Sequence, residues 1–333
     1  MKPVAPHWAG IPDALQSLYA PVAESLDQVE SLLFESQRSR FPFVEKLVQY
    51  GCRIGGKRLR PALLLLSGMA VGRVTPRHVK LAVVVELIHT ATLIHDDVLD
   101  EATMRRHLDT VNVRWNNETS VLLGDFLLAE AFCVAASVED ARAWLVLGEA
   151  SRRTCEGELR QIASRGQYDL SEDDYLDIIA SKTGELTAAS CRLGAHLAGA
   201  DAAGVELLGQ YGRDLGIAFQ IADDLLDLVG DESTVGKSLG TDLEKHKPTL
   251  PLLRALAGLE PAERAERLAA MDRGELSRSQ LVEWLRRSGA IQAARGRAVE
   301  FAQRAAARLE PLAPSPARES LTKLTEFVVQ RQQ

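Results

Sequence analysis

Residues 81–97 read LAVVVELIHTATLIHDD. Wound at 3.6 residues per turn, this stretch is apolar on nearly every side, whereas a surface helix would carry a polar face. It predicts a helix buried in the middle of a bundle. Residues 120–136, 174–199 and 204–229 carry a similar pattern. Convincing runs of strict alternation bounded by turn residues are missing, so few strands or none are expected. Punctuation comes in short pieces: Gly55-Gly56, Val71-Gly72, residues 230–240, and Pro311 to Pro316, where Ser315 and Pro316 suit an N-cap and first helical position. The Ala- and Arg-rich region from about 255 to 310 reads as helical and surface-like. With no flexible linker and no repeat, the expectation is one all-α domain over residues 1–333.

Apolar residues make up 46% of the 333, enough for a large core, and the charge of −7 with a pI near 5.6 argues against nucleic acid as a partner. Cys52, Cys133, Cys155 and Cys191 form no CxxC pair and read as small buried residues of a reduced protein. The N-terminal MKPVAPHWAG lacks a long apolar leader, and no run of about 18 apolar residues suggests a membrane span. A soluble, cytoplasmic protein is expected.

Asp-Asp-x-x-Asp occurs three times, at Asp96-Asp97-Asp100, Asp173-Asp174-Asp177 and Asp223-Asp224-Asp227. Carboxylates at this spacing crowd one helix face and repel unless a cation joins them. Mg²⁺ suits such a site, because it takes one or two carboxylates and completes its shell with substrate phosphates. The middle copy has a sufficient local explanation: Ser171 and Asp174 fit a capping box, and acids in a first turn favour the helix dipole. The outer copies lie deep in apolar helices, Asp223 near a C-terminal end where the dipole disfavours acids. Violations of local rules are expected at functional sites. Basic residues accompany them: Lys57, Arg58 and Arg60 after a glycine turn, Arg105-Arg106 after the first triad, and Lys182, Lys237 and Lys247 elsewhere. Such acids and bases together suggest a substrate that carries diphosphate.

GGKRLRP (55–61), HTATLIHDDVLDEATMRR (89–106), KTG (182–184), FQIADDLLD (219–227) and GKSLGTDLEKHKPTLP (236–251) stand in an order and spacing that resemble the trans-isoprenyl diphosphate synthases. The resemblance covers about residues 30 to 255; NETSVLLGDFLLAEAF and CEGELRQ look most like the long-chain polyprenyl members. It implies a large helical bundle of the isoprenoid synthase type around a central cavity. It also implies a homodimer, and Mg²⁺-dependent head-to-tail condensation of isopentenyl diphosphate with an allylic diphosphate of farnesyl or geranylgeranyl type. By the same resemblance, Asp96, Asp97 and Asp100 bind Mg²⁺ opposite Asp223, Asp224 and Asp227. Arg105, Lys182 and Lys237 hold the allylic diphosphate, with Lys247 a further basic candidate, and Lys57, Arg60, His89 and Arg106 hold isopentenyl diphosphate. Thr183 and Gln220 lie near the reacting carbon, beside a kink at Thr183-Gly184.

Ala91 and Thr92, four and five residues before Asp96, are small where short-chain members tend to carry an aromatic, so a long all-trans product is expected. Geranylgeranyl diphosphate synthesis is the shorter alternative, and a non-catalytic partner subunit of a heteromeric synthase is the alternative of another class. Two departures stand out. Where the family usually continues the double arginine with Gly-x-Pro-Thr, this chain has His107 and Asp109, so a glycine that would supply a left-handed helix cap is absent. His246 replaces a common glycine before Lys247.

Overall fold

The structure, a computed structural model, describes residues 11–53, 56–230 and 241–330. The chain enters α1 at Asp13–Tyr19, passes through a 3₁₀ turn at Ala20–Val22, and continues as α2 (Ala23–Glu35), α3 (Pro42–Arg53), α4 (Leu59–Val71) and α5 (Pro76–Leu99). A minimal hairpin follows, β1 (Met104–Arg105) with β2 (Leu108–Asp109). Beyond it run α6 (Val111–Arg114), α7 (Asn117–Ala136), α8 (Ala141–Ala163) and α9 (Glu172–Ile179). A π-helical turn at Ala180–Gly184 leads into α10 (Glu185–Leu197) and α11 (Ala202–Val229). The remainder is α12 (Thr241–Glu244), α13 (Leu250–Ala257), α14 (Pro261–Asp272), α15 (Arg278–Arg287), α16 (Ala290–Arg308) and α17 (Pro316–Gln330). The fold is all-α, and the two-residue strands are a turn device rather than a layer.

The sequence 81–97 does form the central helix. α5 starts at a capping box between Thr75 and His78, with Pro76 at its first position. It packs against α2, α4, α7 and α10, and residues on every side of it are buried. α4 and α10 meet at backbone distance: a Cβ on Gly194 would stand 2.0 Å from the Leu64 carbonyl oxygen, so only glycine fits there. Ser315 accepts from Arg318 N at 3.1 Å, which starts α17 as expected.

Three expectations need correction. Cys52 and Cys191 are buried, but Cys133 and Cys155 are exposed, because they fall on the open faces of α7 and α8. α7 is not enclosed like α5. It is long and apolar enough to cross a membrane by length and composition, with mean hydropathy 1.7, yet only a third of its apolar stretch is buried. The region 255–310 is only partly a surface. Leu281, Leu285 and Ala290 join Leu228, Leu252 and Leu256 in a second apolar cluster. In α16, Ala294, Ala298, Ala302 and Ala305 recur at helical spacing and are buried, and the helix lies along α11.

Candidate active site

The first triad ends α5, and helical geometry divides its members. Asp96 and Asp100, one turn apart, share a partly open face, while Asp97 turns inward and is 1% exposed. Arg105, on β1, reaches back to Asp97 Oδ1 with Nε at 2.8 Å and Nη2 at 2.7 Å. Asp97 Oδ2 is buried without a hydrogen-bond partner. Burial pushes the Asp96 carboxyl up to about 6; Lys182 opposes this, and Glu158 and Asp100 add to it. Burial also works to raise Asp100, but the charge and hydrogen bond of Lys247, with Lys182, hold it below its ordinary value.

The second triad stands near the end of α11 and is divided differently: Asp223 is half-buried, while Asp224 and Asp227 are both buried. Asp224 accepts from Tyr175 Oη at 2.7 Å and from Gln220 Nε2 at 2.8 Å, so both of its oxygens serve the protein. Burial, reinforced by Asp242, pushes its carboxyl up to about 7. Gln220 Oε1 in turn accepts from Thr183 Oγ1 at 2.7 Å. Tyr175, Asp224, Gln220 and Thr183 therefore form one chain of hydrogen bonds, placing the two residues expected near the reacting carbon side by side. Asp227 Oδ2 accepts from the backbone N–H of Asp242 at 3.2 Å.

One network joins the two triads. Lys247 Nζ lies 3.1 Å from Asp100 Oδ2 and 3.2 Å from Asp242 Oδ1. The path Asp100–Lys247–Asp242–Asp227 runs from one triad to the other, so the two acid clusters face a common space. Lys182 stands over that space. Its Nζ donates to Gln161 Oε1 at 2.8 Å, pairs with Glu158, and lies 4.0 Å from Asp96 Oδ2. The kink expected at Thr183-Gly184 is the π turn, which carries Lys182 and Thr183. Gly157 of α8 lets this turn approach: a Cβ there would meet Lys182 N at 2.4 Å.

A cavity of about 90 Å³ brings together Lys57, Arg60, His89 and Arg106, the four residues expected to hold isopentenyl diphosphate. Burial lowers the Arg60 guanidinium to about 10, against the pull of Glu86, and leaves its Nε without a hydrogen-bond partner. Burial, with the charges of Arg60, Arg106 and Arg105, holds the His89 imidazole well below its usual range and therefore neutral. An orphaned guanidinium donor beside other cations is a built anion site. Arg58 serves the scaffold instead. It pairs with Glu30 and, at 2.7 Å, with Glu86, bracing the loop from a left-handed backbone (φ 54°).

Arg105 and Arg106 belong to a two-residue hairpin in which Arg106 (φ 53°) and His107 (φ 61°) are both left-handed. The missing glycine is thus needed by a hairpin turn and not by a helix cap. His246 repeats the pattern, with φ 51° and Nδ1 3.3 Å from Tyr168 Oη. Asp173 and Asp174 lie at the start of α9, where Ser171 Oγ accepts from Asp174 N at 3.1 Å, and Asp177 pairs with Arg160 on the surface. The middle copy stays apart from the other two. Ala91 is wholly buried, and Thr92 donates to the His89 carbonyl at 2.8 Å. Lys237 lies outside the described residues. Sequence reasoning missed Glu158, Gln161, Tyr175 and Asp242. Glu158, Gln161 and Asp242 sit within the quoted motifs, but their partners are distant in sequence or off any helical period.

Among the described residues, no three carboxylates, thiols or imidazoles converge into a ready metal cage. The donor set still fits a divalent cation. It offers hard oxygens from two sides, an orphaned oxygen on Asp97, and an Asp96 carboxyl that burial raises and a bound cation would hold ionised.

A family model described as Polyprenyl synthetase matches residues 41–286. The chain is 37% identical over 324 residues to the all-trans-nonaprenyl-diphosphate synthase (geranyl-diphosphate specific) of Rhodobacter capsulatus, covering 96% of this chain and 98% of that one. It is 37% identical over 319 residues to the octaprenyl diphosphate synthase of Escherichia coli (strain K12), covering 95% and 99%. The crystal structure of a polyprenyl synthase from Caulobacter crescentus CB15, complexed with calcium and isoprenyl diphosphate, superposes with a TM-score of 0.91 at 37% identity, covering 96% and 98%. The chain belongs to the polyprenyl synthetase family and is a prenyltransferase.

Proposed function

We propose that this chain joins isopentenyl diphosphate head to tail to an allylic diphosphate, of farnesyl or geranylgeranyl type, and repeats the step to a long all-trans product. The observation that carries the reading is the Asp100–Lys247–Asp242–Asp227 network, which sets two acid triads around one space beside a separate anion cavity. Asp96, Asp97 and Asp100 from one side, and Asp223 and Asp227 from the other, would hold Mg²⁺. Asp224 completes the second triad; Arg105 orients Asp97, and Tyr175 and Gln220 orient Asp224. When bound, Mg²⁺ supplies positive charge where it develops on the departing diphosphate. The calcium in the Caulobacter relative supports a divalent ion here.

The chain's own residues do the rest. Lys182 and Arg105 face the allylic diphosphate, with Lys247 beneath it and Lys237 expected to join them. Lys57, Arg60, His89 and Arg106 hold the diphosphate of isopentenyl diphosphate so that its double bond faces the allylic carbon. The allylic C–O bond breaks with its electrons on the diphosphate oxygen. The double bond then forms the new C–C bond, and a proton leaves for the released diphosphate. Thr183 and Gln220, locked to each other, present oxygens beside the carbon that becomes positive. Ala91 and Thr92 are small side chains that would leave room for a growing chain below Asp96, and the names of the octaprenyl and nonaprenyl relatives support a long product.

The working unit of this reading is a homodimer of single-domain chains in the cytoplasm, where the four free thiols stay reduced. α7 and α8 expose Leu122 (68%), Leu145 (73%) and Leu159 (67%) together with Phe132 and Trp144, whose rings meet at 6.3 Å. A second copy covers this face. Incubating the purified chain with farnesyl diphosphate, isopentenyl diphosphate and Mg²⁺, then separating the dephosphorylated products, tests the proposal. Chains beyond twenty carbons are expected. Cyclised product, or no product, would overturn it.

A further inference from the structure

α11 ends where the second triad stands, and its last turn carries carbonyl groups that no intrahelical N–H can reach. Arg278 satisfies them from another element. Its Nη2 lies 3.0 Å from the Asp227 carbonyl oxygen, 3.1 Å from that of Leu228 and 3.4 Å from that of Gly230. Asp227 is therefore gripped twice, by Arg278 at its carbonyl and by the Asp242 N–H at its side chain.

The place of Arg278 in its own helix makes this informative. It is the first residue of α15, directly after the N-cap Ser277. A cation there faces the positive end of the α15 dipole, which disfavours it locally. The same guanidinium meets the negative end of α11, which favours it. Its Nε is buried without a hydrogen-bond partner, a further local cost of reaching across. A residue placed against its own helix and in favour of a neighbour serves the neighbour.

We propose that Arg278 is a positioning residue for the second acid triad: it fixes the end of α11 so that Asp227 keeps its direction while the acids gather a divalent cation and diphosphate. The proposal rests on the metal reading of Asp223 and Asp227 given above. It also gives the C-terminal helices a role, since α13 and α16 pack against α15 and hold Arg278 at the triad.

The test titrates Mg²⁺ into the full-length protein at fixed inorganic diphosphate and follows the rise in melting temperature together with the heat of binding. Arg278→Ala is expected to need about tenfold more Mg²⁺, the loss typical of one charge-assisted hydrogen bond. Arg278→Lys, which keeps charge and donors, restores most of it. Arg273→Ala, an exposed control paired with Glu275, leaves the midpoint unchanged. On an Asp227→Ala background Arg278→Ala adds nothing, whereas on an Asp96→Ala background its effect persists. If Arg278→Ala does not fold, Arg278→Gln, with donors but no charge, carries the same comparison against Arg278→Lys. A lowered melting temperature with an Mg²⁺ midpoint within about twofold of the parent would show a brace and nothing more, and would overturn the proposal. A midpoint that Asp223→Ala also leaves unchanged would instead overturn the metal reading on which it stands.

Discussion

Gly157→Ala sets two known effects against each other at one position. On an isolated helix the change is favourable by roughly 1 kcal/mol, because alanine is the better helix former. In this structure the added Cβ would stand 2.4 Å from Lys182 N, 2.9 Å from Lys182 Cα and 3.0 Å from Ser181 C. All three are backbone atoms, so no side-chain rotation relieves them. Ordinary contact begins near 3.4 Å, so the π turn and α8 must separate by about 1 Å. Overpacking of this kind costs about 1–3 kcal/mol, which outweighs the helical gain. The larger consequence is functional, because the displaced turn carries Lys182 and Thr183, and a shift of about 1 Å at a reacting centre can cost about a hundredfold in rate. Gly148 lies on the same helix with nothing within 4 Å of its added Cβ, so Gly148→Ala is the matched control. The expected result is a stable, active Gly148→Ala and a Gly157→Ala with kcat down by about two orders of magnitude and a lower melting temperature. Thermal melts and steady-state kinetics on the pair decide it. A Gly157→Ala protein that is both more stable and fully active would refute the reasoning.

His107→Gly should stabilise the protein by about 1 kcal/mol, since glycine adopts the left-handed turn without the strain histidine carries, and activity should be kept; an unchanged or lower melting temperature counts against a strained hairpin. Ala91→Phe should shift products to roughly fifteen or twenty carbons, and an unchanged product length with a loss of about 1–3 kcal/mol in stability would count against a channel at residue 91; chromatography and a melt decide it. His78 gives a pH test. Burial holds its imidazole below the usual value, while Thr75 N–H donates to Nδ1 at 3.1 Å and Nε2 faces the Gly194 carbonyl at 3.1 Å. The unfolded chain takes up that proton near pH 6.5 and the folded chain resists it, so stability from this site is full above about pH 6.5 and is lost as pH falls. His78→Gln, which cannot titrate, should flatten the fall in melting temperature between pH 7.5 and 5.5, and parallel curves would contradict the assignment.

Much of the site was legible because its chemistry violates local rules. Acids in the apolar α5 and near the C-terminal end of α11 have no helical reason to be there, whereas Asp173 and Asp174 do, and the structure separates the copies along that line. The central position of α5 followed from a helix with no polar face. What escaped was long-range. Nothing in the spacing of Glu158 and Lys182, or of Tyr175 and Asp224, shows that they meet, since each pair is brought together by packing of separate helices. The open face of α7 was equally hidden, because composition alone does not distinguish a helix enclosed by its own chain from one that its own chain leaves open. The two histidines in glycine positions were visible as oddities, and their positive φ angles give the reason.

The central claim is that two triads, and not the third, act together on a shared diphosphate. Turnover of Asp96→Ala, Asp223→Ala and Asp173→Ala, each compared with the parent at matched folding, tests it most directly. The first two should each lose kcat by orders of magnitude, about a thousandfold or more, because in the proposed reading each would take a carboxylate from the divalent ion that offsets charge developing on the departing diphosphate. Asp173→Ala should stay within about twofold, as expected for the loss of one acid in a solvated first turn. Equal losses at all three positions, or full activity in Asp223→Ala, would contradict the account.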